Sequence, residues 1–369
     1  YKSWLVIAQV VGYGLSKFIG IKIISELKAQ SRSKGILIMS AIAVASWFFF
    51  AITPPPYNII FLFTNGMPLG MIWGMVFGYL EGRRVTEVLG AGLSVSFIFS
   101  AGFSKTVGGY LLRDWNVSEF WMPFVAGLVF GIPMLLFLYL LNQVPPPSPL
   151  DEQLRTKRQP MNAAERLEFT RSFLPGIVFF VLAYMMFTIF RDVRDNFSAE
   201  VWKALGYTNP GIFTRTEVPI SLCTLIVMGS LIVVKNNLKA LMLIHLIIIL
   251  GMILLGVSTF LFEQQLISAP VWMTLIGMGL YLGYIPFNSI FFDRLLAAFS
   301  YSGTVGFIMY VADSFGYLGS VSVLLYRELG LTHLSWLAFF IRSGYAVSIL
   351  GTLLIFGSMI YFRRKHAKI

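Results

Sequence analysis

The sequence predicts an all-α, polytopic membrane protein of about eleven spanning helices arranged as two bundles. Three observations predict it. Apolar residues fill 57% of the 369 positions and charged residues only 12%, and the mean hydropathy is +0.77, far from the balance of a soluble domain. Runs of about 20 apolar residues, the length that crosses a hydrocarbon core of about 30 Å, follow one another almost end to end. Lysine and arginine gather in alternate breaks between those runs.

The runs fall at 4–24, 34–53, 57–80, 88–112, 119–142, 172–195, 212–234, 238–262, 269–293, 302–326 and 335–362. The chain enters the first directly. Trp4 follows Tyr1 with neither a charged leader nor a small-residue cleavage site, the pattern of a shortened start rather than of a signal peptide.

One set of alternate breaks carries Lys28, Arg32 and Lys34; Arg83 and Arg84; Arg155, Lys157, Arg158, Arg166 and Arg171; Lys235 and Lys239; Arg294; and the tail Arg363, Arg364, Lys365 and Lys368. The other breaks, near 54–56, 113–119, 196–211, 263–269 and 327–333, are short and close to neutral. By the positive-inside rule the basic set faces the cytoplasm, with Tyr1 outside and Ile369 inside. The expected location is the plasma (inner) membrane of a bacterium, multi-pass and in contact with lipid.

The same distribution explains the excess of 28 Lys+Arg over 17 Asp+Glu, so the formal charge of +11 marks topology and not a nucleic-acid stripe. Cys223 is the only cysteine, which excludes an internal disulfide and a cysteine-based metal cluster. The three histidines, His245, His333 and His366, sit on different segments. With no metal-ligand spacing, phosphate-cradling glycine loop or nucleophile elbow, neither a cofactor nor an enzyme is expected.

The longest polar stretch opens with Pro145, Pro146 and Pro147 and divides five runs from six. It separates an amino-terminal bundle, 1–142, from a carboxy-terminal bundle, 172–369, through a cytoplasmic linker, 143–171. Within the linker, Met161 to Phe169 reads either as a short surface helix, with Asn162 as N-cap and Glu165 three residues on, or as a solvated basic segment. The halves also repeat weakly. Gly66-Met67-Pro68-Leu69 in the third run matches Gly277-Met278-Gly279-Leu280 in the ninth at an offset of 211, which also aligns Arg83 with Arg294. Ser104 to Gly108 in the fourth run matches Ala312 to Gly316 in the tenth at an offset of 208. Two consecutive helices pairing at nearly one offset favour duplicated halves, and six plus six would place one further helix before Tyr1.

With these features the whole chain resembles a major facilitator superfamily transporter lacking its first helix. More narrowly, Gly70-Met71-Ile72-Trp73-Gly74 and Tyr79-Leu80-Glu81-Gly82-Arg83-Arg84 resemble an uncharacterised bacterial family of facilitator-like proteins of unknown function. The loop after Gly20 departs from the facilitator pattern of an Asp-Arg pair, keeping only Glu26 and the basic residues Arg32 and Lys34. The sixth run, with Leu174-Pro175, Arg191 and Phe197-Ser198, is similar to the corresponding helix of organophosphate:phosphate antiporters, where a cavity arginine binds phosphate. That similarity implies Arg191 as an anion ligand, although Asp192 and Arg194 depart from the pattern. The superfamily likeness implies a monomer.

A charge at a helix centre costs roughly 3 kcal/mol on translocon scales, so each one within a run has a partner, a wet cavity or a function. Lys17 reads as a cavity cation or as a snorkelling side chain, and Lys105, among Gly102, Gly108 and Gly109, as a cation turned away from a close helix contact. Asp313 stands at the position matching Lys105, so the two read as a salt bridge or as a gating, proton-coupled pair. Arg191, Asp192, Arg194 and Asp195 are the densest cluster. Arg191 and Asp195, four apart, either neutralise each other or leave arginine forks for a phosphate or carboxylate. Arg215 and Glu217 either extend that network or form an exposed pair. In the ninth run Pro286 interrupts the backbone, and Tyr284 and Asn288 share one face as candidate substrate contacts. Trp73 reads as packing or as a stacking contact, His245 as a hydrogen-bonded structural residue, and Arg342 as a surface cation.

The expected function is secondary active transport by alternating access. The inward positives Lys17, Lys105 and Arg191 favour a small organic anion, phosphorylated or carboxylated, with a counter-transported anion or protons. The alternative is a proton-coupled symporter of a neutral sugar, nucleoside or peptide, with Asp195, Glu217 or Asp313 carrying the proton. A channel or non-transporting sensor is the remaining class.

Overall fold

A computed structural model of the chain describes residues 1–26, 29–80, 83, 85–146, 148–149, 163–301, 305–330 and 334–368. Among the described residues all regular structure is helical, as lipid demands: with no water in the bilayer core, a spanning segment must satisfy its backbone groups internally. The helices are α1 (Lys2–Glu26), α2 (Arg32–Ile52), α3 (Ile59–Phe77), α4 (Thr86–Arg113), α5 (Met122–Asn142) and α6 (Ala163–Ala204), then α7 (Gly211–Ser230), α8 (Asn237–Glu263), α9 (Ala269–Ser289), α10 (Phe291–Ala298), α11 (Val305–Glu328) and α12 (Trp336–His366). Ten of these are long and apolar enough to cross a membrane, and the 25-residue α1 fills the first expected run. Local chemistry sets several ends. Asn236 caps α8 by accepting from Lys239 N at 2.9 Å, Ser335 caps α12 by accepting from Ala338 N, and prolines open α5 and α9 in their first turns, where no backbone partner is lost.

Two elements differ from the sequence expectation. The sixth helical segment runs for 42 residues as two helices joined at a kink at Phe197, the first of 34 residues (163–196) rising about 51 Å at 1.5 Å per residue, well beyond the hydrocarbon core. Residues 163–171, expected as linker or surface helix, form its first turns, and the stretch expected as an outer loop stays helical to Ala204, with only Phe197 off helical geometry (φ −121°, ψ 15°). The physical reason is amphipathicity: Phe197, Val201 and Trp202 lie on one buried stripe, so the helix continues beyond its charge cluster to bury them. The linker centre, with Asn162, lies outside the described residues, as does the side chain of Glu26. The second difference is in the ninth run, where the interruption expected near Pro286 falls at Ile290 (φ −132°, ψ −20°) and sets off the short α10.

The chain divides into two compact units, the first made of 1–84, 104–155 and 321–332 and the second of 85–103, 156–320 and 333–369. In the first, α1 lies directly on α3. A Cβ on Gly12 would stand 2.2 Å from Phe63 O, and one on Gly66 2.1 Å from Gln9 O, so only glycine allows this crossing. Gln9 Nε2 donates to Asn65 Oδ1 at 2.7 Å, and Asn65 Nδ2 donates to Ala43 O of α2 at 2.9 Å, pinning three helices together.

The second unit holds a fully buried aromatic core in which Phe180, Phe287, Phe291 and Phe292 pack edge-on or tilted at 4.5 to 6.3 Å and Phe190 stacks on Phe340 at 4.8 Å. Here α8 and α9 cross at Gly251 and Gly279, where a Cβ on either would meet the other's carbonyl oxygen at 2.7 and 2.4 Å. His245 has the structural role expected, with one ring nitrogen 2.8 Å from Leu241 O and the other 3.0 Å from Ser358 Oγ, which ties α8 to α12.

Candidate functional site

The second unit concentrates polar groups on facing helical stripes. On α6, Tyr184, Thr188, Arg191 and Asp195 recur at helical spacing, with Asp192 and Arg194 beside them; on α9 the stripe is Tyr281, Tyr284 and Asn288, and on α11 it is Asp313, Tyr317 and Ser320. Each sits in an otherwise apolar helix, and most are buried to within 7% exposure, so their partners must come from one another.

Arg191 is the hub. Its Nε and Nη2 both donate to Asp192 Oδ1, at 3.1 and 2.5 Å; Nη1 donates to Tyr284 Oη, and Nη2 also donates to Tyr317 Oη at 3.0 Å. The guanidinium carbon lies 4.7 Å from the Tyr284 ring centroid and 5.6 Å from that of Tyr317, within cation–π range of both. Asp192 is completed on its other oxygen by Ser320 Oγ at 2.5 Å. The acid that closes on Arg191 is therefore its immediate neighbour.

A second chain of bonds runs from the hub. Tyr184 Oη donates to Asp313 Oδ1 at 2.5 Å, and its ring stacks on Tyr284 at 5.2 Å with 16° between planes. A hydroxyl has one proton, so with that proton on Asp313 the Tyr184 oxygen acts as acceptor toward Tyr284 Oη at 3.1 Å and Asn288 Nδ2 at 3.2 Å. Arg191, Tyr284, Tyr184 and Asp313 thus form one continuous path across α6, α9 and α11.

Beside it lies a second ion pair. Arg194 Nη1 donates to Glu217 Oε1 of α7 at 2.8 Å and stands 4.0 Å from Asp195 Oδ1, while the guanidinium lies 5.7 Å from the Tyr281 centroid. Two glycines make room: a Cβ on Gly277 would fall 2.8 Å from Arg194 Nη2, and one on Gly102 2.5 Å from Glu217 Cγ. Arg194 Nε, Glu217 Oε2, Ser221 Oγ, Thr224 Oγ1 and Tyr281 Oη are buried with no hydrogen-bond partner among the described residues, which leaves them for water or a polar solute. Among those residues no group of three His, Cys, Asp or Glu side chains is placed to hold a metal ion.

Of the residues singled out from sequence, Arg191, Tyr284, Asn288, Asp195, Glu217, Arg215 and Asp313 belong to the second unit, and Lys17, Trp73 and Lys105 to the first. Arg215 is exposed while Glu217 is buried, because two residues are about 200° apart on a helix. Lys17 is buried, its Nζ 5.2 Å from the Tyr13 centroid. Trp73 and Lys105 are half-buried. Sequence reasoning placed Asp192 in the charge cluster without giving it a role, and passed over Tyr184, Tyr317 and Ser320 as site residues. A signal existed in the i, i+4, i+7 recurrence of polar groups along α6 and α11, but tyrosine and serine in apolar helices are too ordinary to stand out alone.

The helical architecture of the described residues is similar to that of solved transporters, one of them a major facilitator superfamily protein. The fold is similar to that of the proton:xylose symporter XylE bound to 6-bromo-6-deoxy-D-glucose (TM-score 0.63, 18% identity, covering 96% of this chain and 84% of that one). It is likewise similar to a D-xylose-proton symporter (TM-score 0.62, 17% identity, 96% and 86% covered) and to the human organic anion transporter MFSD10 (TM-score 0.57, 15% identity, 97% and 82% covered). No curated protein matches the chain in sequence. The chain belongs to a family of unknown function, DUF5690, which it matches over residues 1–365.

Proposed function

We propose that this chain is a secondary active transporter that carries a neutral, hydroxyl-rich solute together with protons by alternating access. The observation that carries the reading is the closure of Asp192 on Arg191, which leaves the most connected buried cation of the second unit neutralised, with four donor contacts committed. Around it, Arg191 and Arg194 face Asp192, Asp195, Glu217 and Asp313, a carboxylate excess that disfavours a phosphate or carboxylate solute. Stacked Tyr184 and Tyr284, Asn288, and the buried hydroxyls of Ser221 and Thr224 offer what a polyol needs, aromatic faces and neutral hydrogen-bonding groups. Two of the similar structures are xylose:proton symporters, in keeping with this chemistry.

The organic-anion reading remains the second. It requires Asp192 to release Arg191, and the similarity to MFSD10, an organic anion transporter, supports it. On either reading Tyr184, Arg191, Tyr284 and Asn288 of the second unit contact the solute, and Asp313, Glu217 and Asp195 serve coupling; within the first unit, described by itself, Lys17, Trp73 and Lys105 are the candidate contacts. We read the chain as a plasma-membrane monomer with its basic loops and carboxyl terminus in the cytoplasm, and as a transporter and not an enzyme.

Thermal unfolding in detergent against neutral sugars, polyols and nucleosides and against phosphorylated sugars and dicarboxylates tests the proposal, since a ligand bound to the native state raises Tm. A neutral solute is expected to raise Tm, and its uptake into proteoliposomes to require a proton gradient. A shift produced by anions alone, and lost in Arg191→Ala, would replace this reading with the second.

A further inference from the structure

We infer that the end of the second unit formed by the start of α6 and the end of α12 is a docking surface for anionic phospholipid headgroups. Tyr361 Oη donates to Ser172 O at 3.2 Å, and Phe173 and Phe362 lie 6.4 Å apart, so the two helix ends are side by side. Gly176 permits this approach, since a Cβ there would stand 2.4 Å from the Phe362 ring. The juxtaposition gathers Arg166, Arg171, Arg363, Arg364, Lys365 and Lys368, drawn from two segments almost 200 residues apart, against the carboxylates Glu165 and Glu168.

Beneath these cations lies an aromatic plate of Phe169, Phe173, Phe299, Tyr301 and Phe362, with centroid separations of 4.9 to 6.4 Å. It fixes the inner cations. Lys365 Nζ sits 4.9 Å from the Phe173 centroid, and the Arg166 guanidinium 5.9 Å from that of Phe307. Tyr301 Oη donates to the backbone carbonyl of Glu165 at 3.2 Å, and partial burial together with the Glu168 and Glu165 carboxylates holds that hydroxyl above its ordinary value. Arg171, Arg363, Arg364 and Lys368 are exposed.

A bilayer supplies the matching partner. At 34 residues before the kink at Phe197 and at 31 residues, both helices exceed the roughly 20 that fill a hydrocarbon core, so their ends reach headgroup depth, where phosphodiesters stand beside arginine forks. The surface commits to a lipid phosphate and not to a soluble one because its exposed cations, Arg171, Arg363, Arg364 and Lys368, stand at the ends of two spanning helices, at the level where lipid phosphates lie.

The test uses the intact protein in a mild neutral detergent, titrated with phosphatidylglycerol, phosphatidylcholine or inorganic phosphate and followed by lipid retention in native mass spectrometry and by Tm. Phosphatidylglycerol is expected to bind preferentially, and raising the salt from 0.05 to 0.5 M to erase the preference, as screening requires (about threefold shorter Debye length). With about tenfold in affinity per 1.4 kcal/mol and about 1 kcal/mol per basic side chain at a headgroup surface, the triple variant R363Q/R364Q/K365Q is expected to bind about a hundredfold more weakly. The variant K235Q/K239Q, stripped of charge on another loop, is expected to keep the preference; should the triple variant not fold, R171Q/K368Q, exposed at both positions, takes its place. Equal retention of the two lipids, a preference unchanged in the basic-face variants, or the same stabilisation from inorganic phosphate would each overturn the inference.

Discussion

Asp192→Ala is the perturbation that probes the site most directly. The residue is 5% exposed, its Oδ1 receives two donors from Arg191, one of them at 2.5 Å, and its Oδ2 receives Ser320 Oγ. Removing one partner of a buried ion pair leaves the other charge uncompensated and costs about 3–5 kcal/mol. Tyr284 and Tyr317 continue to accept from Arg191, which places the expected loss toward the lower end of that range. Replacing both charges, as in R191M/D192A, removes the uncompensated charge and takes one partner from each of three hydroxyls, Tyr284, Tyr317 and Ser320, about 1 kcal/mol each. The double variant is therefore expected to be about as stable as Asp192→Ala alone and well short of the sum of R191M and D192A, with a coupling of about 2 kcal/mol or more. Equilibrium unfolding in mixed neutral and denaturing detergent, followed by tryptophan fluorescence, measures all three. An Asp192→Ala variant within about 1 kcal/mol of the parent, or strictly additive effects, would refute the view that these side chains form a desolvated pair.

Further outcomes follow from the neighbouring geometry. Glu217→Ala should destabilise by a similar 3–5 kcal/mol by stranding Arg194, and Arg215→Ala, two residues away and exposed, should stay within about 0.5 kcal/mol in the same unfolding assay. Gly279→Ala forces a Cβ to within 2.4 Å of Gly251 O, which is backbone and cannot swing aside, so a loss of about 1–3 kcal/mol and a lowered Tm are expected. His245→Leu leaves Ser358 without its ring partner and should cost about 1–3 kcal/mol in the same measurement while solute binding is preserved. Tyr184→Phe removes the donor to Asp313 and should weaken proton-driven uptake in proteoliposomes more than it lowers Tm; an unchanged uptake rate would remove the Tyr184–Asp313 bond from coupling.

The sequence by itself determined the helices, because composition and run length decide which segments enter lipid and no tertiary contact is needed to make an apolar run of 20 residues helical there. All eleven expected runs contain a long helix, and Arg191, Glu217, Tyr284, Asn288 and Asp313 stood out because charge and polarity are rare in such company. Partner choice belonged to the tertiary structure. Helical spacing nominated Asp195 for Arg191, yet Asp192 closes on it, since both residues point into the packed interior of the second unit and a long guanidinium can fold back onto an adjacent carboxylate. The same packing gave Glu217 to Arg194 instead of Arg215, and carried α6 beyond the membrane length so that Phe197, Val201 and Trp202 could be buried. Spacing along one helix specifies which side chains share a face, but which of them meet depends on the helices that face them, and that information is distributed over residues more than 100 positions apart.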